Sequence, residues 1–99
     1  MDEDLLKIFK HFGEKNQLKK LNEECYELSE AILLLDSKEH IEEEMADVLV
    51  ILGQIVAFYN LDHSKINANV DYKIDRTLTR INTGYYKKER IENENNWSN

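Results

Sequence analysis

Two pairs of acidic residues stand at helical spacing in the middle of the chain. Glu24 and Glu27 are three residues apart, and so are Glu44 and Asp47. Side chains three residues apart leave a helix on the same side, one turn from each other. If the two segments pack antiparallel, the four carboxylates meet in one small volume, where they repel one another and are poorly solvated unless a cation joins them.

The ligand types in this cluster predict which cation it would take. Ligation by oxygen alone favours Mg²⁺, with Mn²⁺ as a substitute, over zinc, copper or iron. A di-iron helical bundle would need Glu-x-x-His pairs, and the three histidines form none. Mg²⁺ held by a few carboxylates, with water in its other positions, commonly binds a polyphosphate. Acidic pairs are also frequent on solvated helix faces, so a plain surface remains the alternative interpretation.

A polar and basic stripe follows in the last third of the chain. Four residues recur at i, i+4, i+7 and i+11, on one side of a predicted helix: Asn69, Lys73, Arg76 and Arg80. They would form either a phosphate clamp, for which arginine is suited by its bidentate contacts, or ion pairs with acids on neighbouring helices. Lys20, one turn before Glu24, is predicted to be a solvated side chain.

The apolar pattern predicts four helices that position these residues. Apolar side chains recur every three or four residues, whereas alternation with a period of two never extends beyond a few residues. The sequence has no proline and three glycines, which leaves few turn formers for a many-stranded sheet. The predicted helices cover residues 4–12, 14–35, 38–60 and 64–82.

These helices are predicted to pack as a compact antiparallel bundle. The second helix has an apolar face from Leu18 to Leu35, in which Cys25 is predicted to be a small core residue. The middle of the third helix, residues 48–52, is apolar on every side. A helix of that kind is buried by more than one neighbour, so we expect the bundle to be completed by oligomerisation.

Length and charge limit the class of protein further. A chain of 99 residues predicts one domain, here over residues 1–84, followed by a polar tail over residues 85–99. Twenty acidic against 13 basic residues give a net charge of −7, which argues against a nonspecific nucleic-acid binder. The apolar runs are too short for a membrane span, and no signal segment opens the chain. We therefore expect a soluble cytoplasmic protein with no nucleic-acid or membrane partner.

The two acidic pairs belong to a longer motif. It consists of Glu23-Glu24-x-x-Glu27, a gap of 16 residues, and Glu44-x-x-Asp47. The motif resembles the signature of the all-α nucleoside triphosphate pyrophosphohydrolases of the MazG type. The resemblance extends from about residue 12 to residue 84. Its flanking residues are Gln17, Leu28, the pair Ala31-Ile32, and Lys73-x-x-Arg76.

The resemblance implies a reaction and a role for each matching residue. The reaction would be Mg²⁺-dependent hydrolysis of a ribo- or deoxyribonucleoside triphosphate between the α and β phosphorus, giving a monophosphate and pyrophosphate and sanitising the nucleotide pool. The implied magnesium ligands are Glu24, Glu27, Glu44 and Asp47. Glu23 would contact a second metal, orient the attacking water or accept its proton. Lys73 and Arg76 fall where such enzymes place basic side chains on the phosphates. With the rest of the basic stripe and the flanking amide, the predicted substrate-binding residues are Gln17, Asn69, Lys73, Arg76 and Arg80. Members of this family assemble as homodimers or homotetramers.

Two alternative functions fit the same residues. A phosphoribosyl-ATP pyrophosphohydrolase of the histidine pathway has a related fold and acidic motif. An acidic helical interaction module, such as an antitoxin-like or DNA-mimicking protein, would keep the bundle without turnover. Clustered carboxylates speak against the second alternative, because a binding module gains nothing from their cost in stability.

Overall fold

The structure is a computed structural model that describes residues 2–85, in which four α-helices and no strand occur. The helices are α1 (Asp2–Phe12), α2 (Glu14–Leu33), α3 (Lys38–Phe58) and α4 (His63–Asn82). The predicted all-α class and the four helices are confirmed. The helix ends differ from prediction by one or two residues. Of the predicted tail, only its first residue, Tyr85, falls within the described part of the chain.

The chain divides into two units at residue 62. The described part of the first unit contains α1, α2 and α3, which pack against one another. The described part of the second unit contains α4 and the turn that follows it. Within residues 2–85, none of the helices combines the length and the apolar character needed to span a bilayer.

A four-residue connection reverses the chain between α2 and α3. Leu35 has a left-handed backbone (φ 55°), and the N–H of Asp36 donates to the carbonyl of Ala31 at 3.0 Å, which closes the end of α2. Ser37 then caps α3, because its hydroxyl oxygen accepts a hydrogen bond from the N–H of His40 at 3.1 Å. The short connection makes α2 and α3 antiparallel neighbours.

The core of the first unit is small and aromatic at one end. Phe9 of α1 is fully buried, and its ring centre lies 4.4 Å from that of Phe58 at the end of α3. Elsewhere along the same pair of helices, Gly53 of α3 lets α1 come close, because a Cβ atom there would lie 3.0 Å from Leu5 Cδ1 of α1. The other buried apolar residues in the described chain are Ala31 and Ile51.

The apolar face predicted for α2 is only partly buried: Leu21 and Leu28 are half-buried, whereas Leu18 and Ile32 are exposed. The buried residues of α2 are Gln17, Glu24 and Ala31, which recur every two turns. The leucine-rich face lies beside this line, and its member Cys25 is exposed, so its placement in the core is wrong. The two faces are adjacent on the helix, and α1 and α3 cover only one of them fully.

The apolar middle of α3 is likewise covered on one side within the chain. Ile51 and Gln54 are buried, whereas Met45, Leu49 and Leu52 on the other side are between 42% and 60% exposed. Large apolar side chains of this kind, side by side on a helix, form a surface that water solvates poorly. We predicted that more than one neighbour buries α3. On one of its faces this is the case, because both α1 and α2 pack there.

Candidate metal centre

The antiparallel register of α2 and α3 brings the two acidic pairs together. Near the start of α2, Gln17 Nε2 donates a hydrogen bond to Gln54 Oε1 of α3 at 2.8 Å. Two turns further along α2 stands Glu24, and two turns back along α3 stands Asp47. The same register that pairs the amides therefore sets the acids of the two helices opposite each other.

Three carboxylates form a cluster at this point. Glu24, Glu44 and Asp47 each place one carboxylate oxygen within 4.8 Å of the others. Glu24 is 5% exposed and the Glu44 side chain 14%. Among the described residues, Glu24 Oε2 and Glu44 Oε2 are buried and have no hydrogen-bond partner. Buried, unpartnered carboxylate oxygens are costly, and a hard divalent cation would satisfy them.

Glu27 lies next to the cluster rather than inside it. Its side chain is exposed one turn after Glu24 on α2. The negative charge of Glu24 raises the pKa of the Glu27 carboxyl above its ordinary value, with smaller contributions from desolvation and from Glu44. Three of the four predicted ligands thus lie in one cluster. The fourth, Glu27, lies at the edge of the cluster, and the negative charges there raise its pKa.

Two basic side chains contact the buried acids from one turn earlier in the same helices. Lys20 Nζ lies 3.2 Å from Glu24 Oε1, and this contact raises the pKa of Lys20 above its ordinary value. His40 Nε2 lies 3.4 Å from Glu44 Oε1 and 3.5 Å from Asp36 Oδ2. Lys20 is therefore half exposed, in keeping with the prediction of a solvated side chain, and it also pairs with Glu24, which the sequence did not predict.

A cleft of about 540 Å³ opens beside the cluster, within the first unit. Its apolar lining comes from Ile8 and Phe12 of α1 and from Val50 and Ile51 of α3. Its polar lining consists of Asn16, Gln17, Lys19, Lys20, Glu23, Glu24, Asp47 and Gln54. An apolar wall next to carboxylates and amides is the combination typical of a small-molecule site.

The basic stripe predicted near the C-terminus lies on α4, which is described here by itself. Its members share one side of that helix: Asn69, Lys73, Arg76 and Arg80. The guanidinium of Arg76 lies 5.7 Å from the ring centre of Tyr72, and that of Arg80 lies 4.8 Å from the ring centre of Tyr85. The stripe is therefore helical and basic, with its arginines stacked on tyrosine rings.

Comparison with known proteins identifies the family. A family model, described as the MazG nucleotide pyrophosphohydrolase domain, matches residues 12–81. The chain belongs to the MazG nucleotide pyrophosphohydrolase family. The match takes in α2, α3, the acidic cluster and nearly all of α4, so the resemblance seen in the sequence is confirmed. Searches of curated proteins and of solved structures found no match to this chain.

In this MazG domain, α1 lies outside the family match except for its last residue, Phe12. The helix nevertheless contributes Ile8 to the cleft and Phe9 to the core. Residues that the family pattern does not describe thus shape one wall of the candidate site.

Two residues of the candidate site were missed in the sequence. Gln54 is 2% exposed and pairs with Gln17, and it is the only polar side chain in the apolar run from residue 48 to residue 58. An isolated amide in such a run signals a buried hydrogen bond. His40 stands four residues before Glu44, a spacing that puts both on one helix face. The Glu-x-x-His pairs of a di-iron site have the reverse order, with Glu before His.

Proposed function

We propose that this MazG domain hydrolyses a nucleoside triphosphate between its α and β phosphorus, giving a nucleoside monophosphate and pyrophosphate, with Mg²⁺ as the required cofactor. The observation that carries the proposal is the cluster of Glu24, Glu44 and Asp47, in which two buried oxygens have no hydrogen-bond partner within residues 2–85. An oxygen-only donor set of this charge suits Mg²⁺, or Mn²⁺ in its place.

The residues that would hold the cation are Glu24, Glu44 and Asp47, with Glu27 at the rim. When bound, the ion would neutralise the polyphosphate and lower the pKa of a water molecule. Glu23 lines the cleft beside the cluster and is exposed, which suits a group that orients that water and accepts its proton.

The substrate would be held by two further sets of residues. The phosphates would contact the basic stripe of α4, a role that rests on the family resemblance: Asn69, Lys73, Arg76 and Arg80. Arginine and lysine there would stabilise charge that develops on the phosphoryl oxygens. The cleft would receive the nucleoside, with Ile8 and Val50 against the base and Gln17 as a hydrogen-bonding group.

We further propose that the domain works as a homodimer or homotetramer. Large apolar side chains are exposed on both α2 and α3, among them Leu18, Ile32, Leu49 and Leu52. So many exposed apolar side chains on a small domain favour an interface. Analytical ultracentrifugation would give the mass in solution, and a strictly monomeric protein at micromolar concentration contradicts this part of the proposal.

A single assay tests the reaction. Pyrophosphate release would be measured from a panel of ribo- and deoxyribonucleoside triphosphates, with Mg²⁺ and then with EDTA. We expect release that needs the metal, with the monophosphate as the other product. Glu24→Gln and Asp47→Asn should abolish it, whereas Glu39→Gln, an exposed acid at the start of α3, should not.

Two outcomes would overturn the proposal. Activity confined to phosphoribosyl-ATP would assign the domain to the alternative reaction. A folded protein that binds Mg²⁺ weakly or not at all, and releases no pyrophosphate from any of these compounds, would favour the interaction module.

A further inference from the structure

The two glutamates of the cluster share one feature. Each has one carboxylate oxygen in contact with a basic side chain and the other oxygen buried without a partner in the described chain. Lys20 Nζ contacts Glu24 Oε1 at 3.2 Å, and His40 Nε2 contacts Glu44 Oε1 at 3.4 Å. The unpartnered atoms are Glu24 Oε2 and Glu44 Oε2. A similar arrangement thus occurs once on α2 and once on α3, where His40 Nε2 also lies 3.5 Å from Asp36 Oδ2.

We propose that Lys20 and His40 are positioning residues, which fix the carboxylates of Glu24 and Glu44 so that Oε2 of each is left for a divalent cation. In both cases the basic residue stands four positions before the acid, on the same helix face. A contact at Oε1 restrains rotation of the carboxylate about its last side-chain bond. This inference rests on the proposed function, because it requires a cation in the cluster.

The contribution of these contacts to the fold itself is expected to be small. The side chains of Lys20 and His40 are 51% and 43% exposed, and half-exposed ion pairs add little stability. Variants at either position should therefore fold. Their effect on metal binding can then be measured separately from any effect on the fold.

Positioning and simple electrostatics predict opposite changes in metal affinity. A cation close to a divalent ion repels it, so that removal of a mere surface charge would tighten metal binding. Removal of a residue that orients a ligand weakens binding, by about 10- to 100-fold for such outer contacts. The sign of the change therefore distinguishes the two roles at Lys20. At His40, weaker binding supports positioning, whereas an unchanged or higher affinity does not.

The experiment measures the affinity of the full chain for Mn²⁺ without substrate, by electron paramagnetic resonance at constant pH. Lys20→Met removes the ammonium group and keeps the apolar stem, whereas Lys20→Gln keeps a donor but no charge. We expect about 10-fold weaker binding in Lys20→Met and recovery of most of it in Lys20→Gln. Lys15→Met, an exposed position on α2 with the same change in charge, is the control and should stay within about twofold of the unchanged protein.

A second pair of variants repeats the test on α3. His40→Leu should weaken Mn²⁺ binding and His40→Gln should restore most of it, because glutamine keeps a donor for Glu44. His63→Leu, at the first position of α4, is the control. If Lys20→Met fails to give a folded protein by circular dichroism, the His40 pair decides the question.

Two results would overturn the inference, and they differ in what they leave standing. If Lys20→Met and His40→Leu bind Mn²⁺ as tightly as the unchanged protein or more tightly, while Glu24→Gln loses binding, the positioning role is refuted and the metal site remains. If the unchanged protein binds no Mn²⁺ at millimolar concentration, the proposed metal site fails together with the inference.

Discussion

The acidic cluster is expected to lower the stability of the metal-free domain, and Glu24→Gln tests this directly. The substitution keeps the shape of the side chain and removes one negative charge. Two unit charges 4.8 Å apart repel by about 3.5 kcal/mol at an effective dielectric constant of about 20, and Glu24 has both Glu44 and Asp47 within that distance. Asp47 is exposed, so solvent screens its share of this repulsion to about 1 kcal/mol. The Lys20 side chain is 51% exposed, so its attraction at 3.2 Å is also screened and offsets only about 1 kcal/mol. The variant should therefore gain about 3 kcal/mol in EDTA, mainly from the repulsion between Glu24 and Glu44.

The assay is urea unfolding at fixed protein concentration, first in EDTA and then at increasing Mg²⁺. A cation that binds only the folded state stabilises it by RT ln(1 + [L]/Kd), so the unchanged protein should gain stability with Mg²⁺ and overtake Glu24→Gln. Glu39→Gln removes an exposed charge and should change stability by no more than about 0.5 kcal/mol in either condition. The reasoning is refuted if Glu24→Gln is no more stable than the unchanged protein in EDTA, or if Mg²⁺ stabilises both equally.

Three further expectations concern the core, the connection after α2 and the titration of Glu27. Phe9→Ala empties a fully buried position and should cost about 4 kcal/mol in urea unfolding, and a loss below about 1 kcal/mol would contradict its core role. Leu35→Gly relieves a left-handed backbone (φ 55°) at an exposed site and should stabilise by about 0.5–1 kcal/mol, whereas a loss would mean that Leu35 makes a contact outside the chain. Because Glu24 raises the folded-state pKa of Glu27 above 4.5, stability in EDTA should fall as pH rises from 4.5 through that pKa. Glu27→Gln should flatten this part of the pH profile, and an unchanged slope would assign it to other groups.

The sequence was sufficient to predict the four helices and the proximity of the acidic residues of α2 and α3. Apolar periodicity locates all four helices, and the residues between Leu33 and Lys38 can only form a short connection. A short connection makes its two helices antiparallel, and acids at similar distances from it then face each other. The prediction that Glu24 would lie near Glu44 and Asp47 needed only these local facts.

The sequence could not predict which of two neighbouring faces of α2 is buried. One line contains Gln17, Glu24 and Ala31, and the line beside it contains Leu18 and Cys25. Hydrophobicity favours the second line, yet the chain buries the first. Pairing of Gln17 with an amide on α3 and the contacts of the aromatic residues of α1 decide the rotation of the helix, and both depend on register between elements.

The ion pair between Lys20 and Glu24 could not be predicted from the sequence for the same reason. A lysine one turn before a glutamate is usually solvated, because exposed pairs of this spacing contribute only a few tenths of a kcal/mol. Burial of Glu24 changes this balance, since a carboxylate with little access to water gains more from a cation. The role of Lys20 thus follows from which face of α2 is buried, and it could be predicted only after that face was known.

The small core and the exposed apolar faces limit the stability that the domain has to offset the cost of the acidic cluster. Phe9, Ala31 and Ile51 are the buried apolar residues of the described chain, which is little for a domain that also buries Glu24. We expect such a domain to gain stability from outside the single chain, and the exposed faces of α2 and α3 and the unpartnered oxygens of the cluster are two candidate sources. We therefore expect dilution and EDTA each to lower the melting temperature, and their effects to add if assembly and metal binding involve separate surfaces. An unchanged melting temperature on dilution, with EDTA still effective, would mean that the metal alone compensates for the small core.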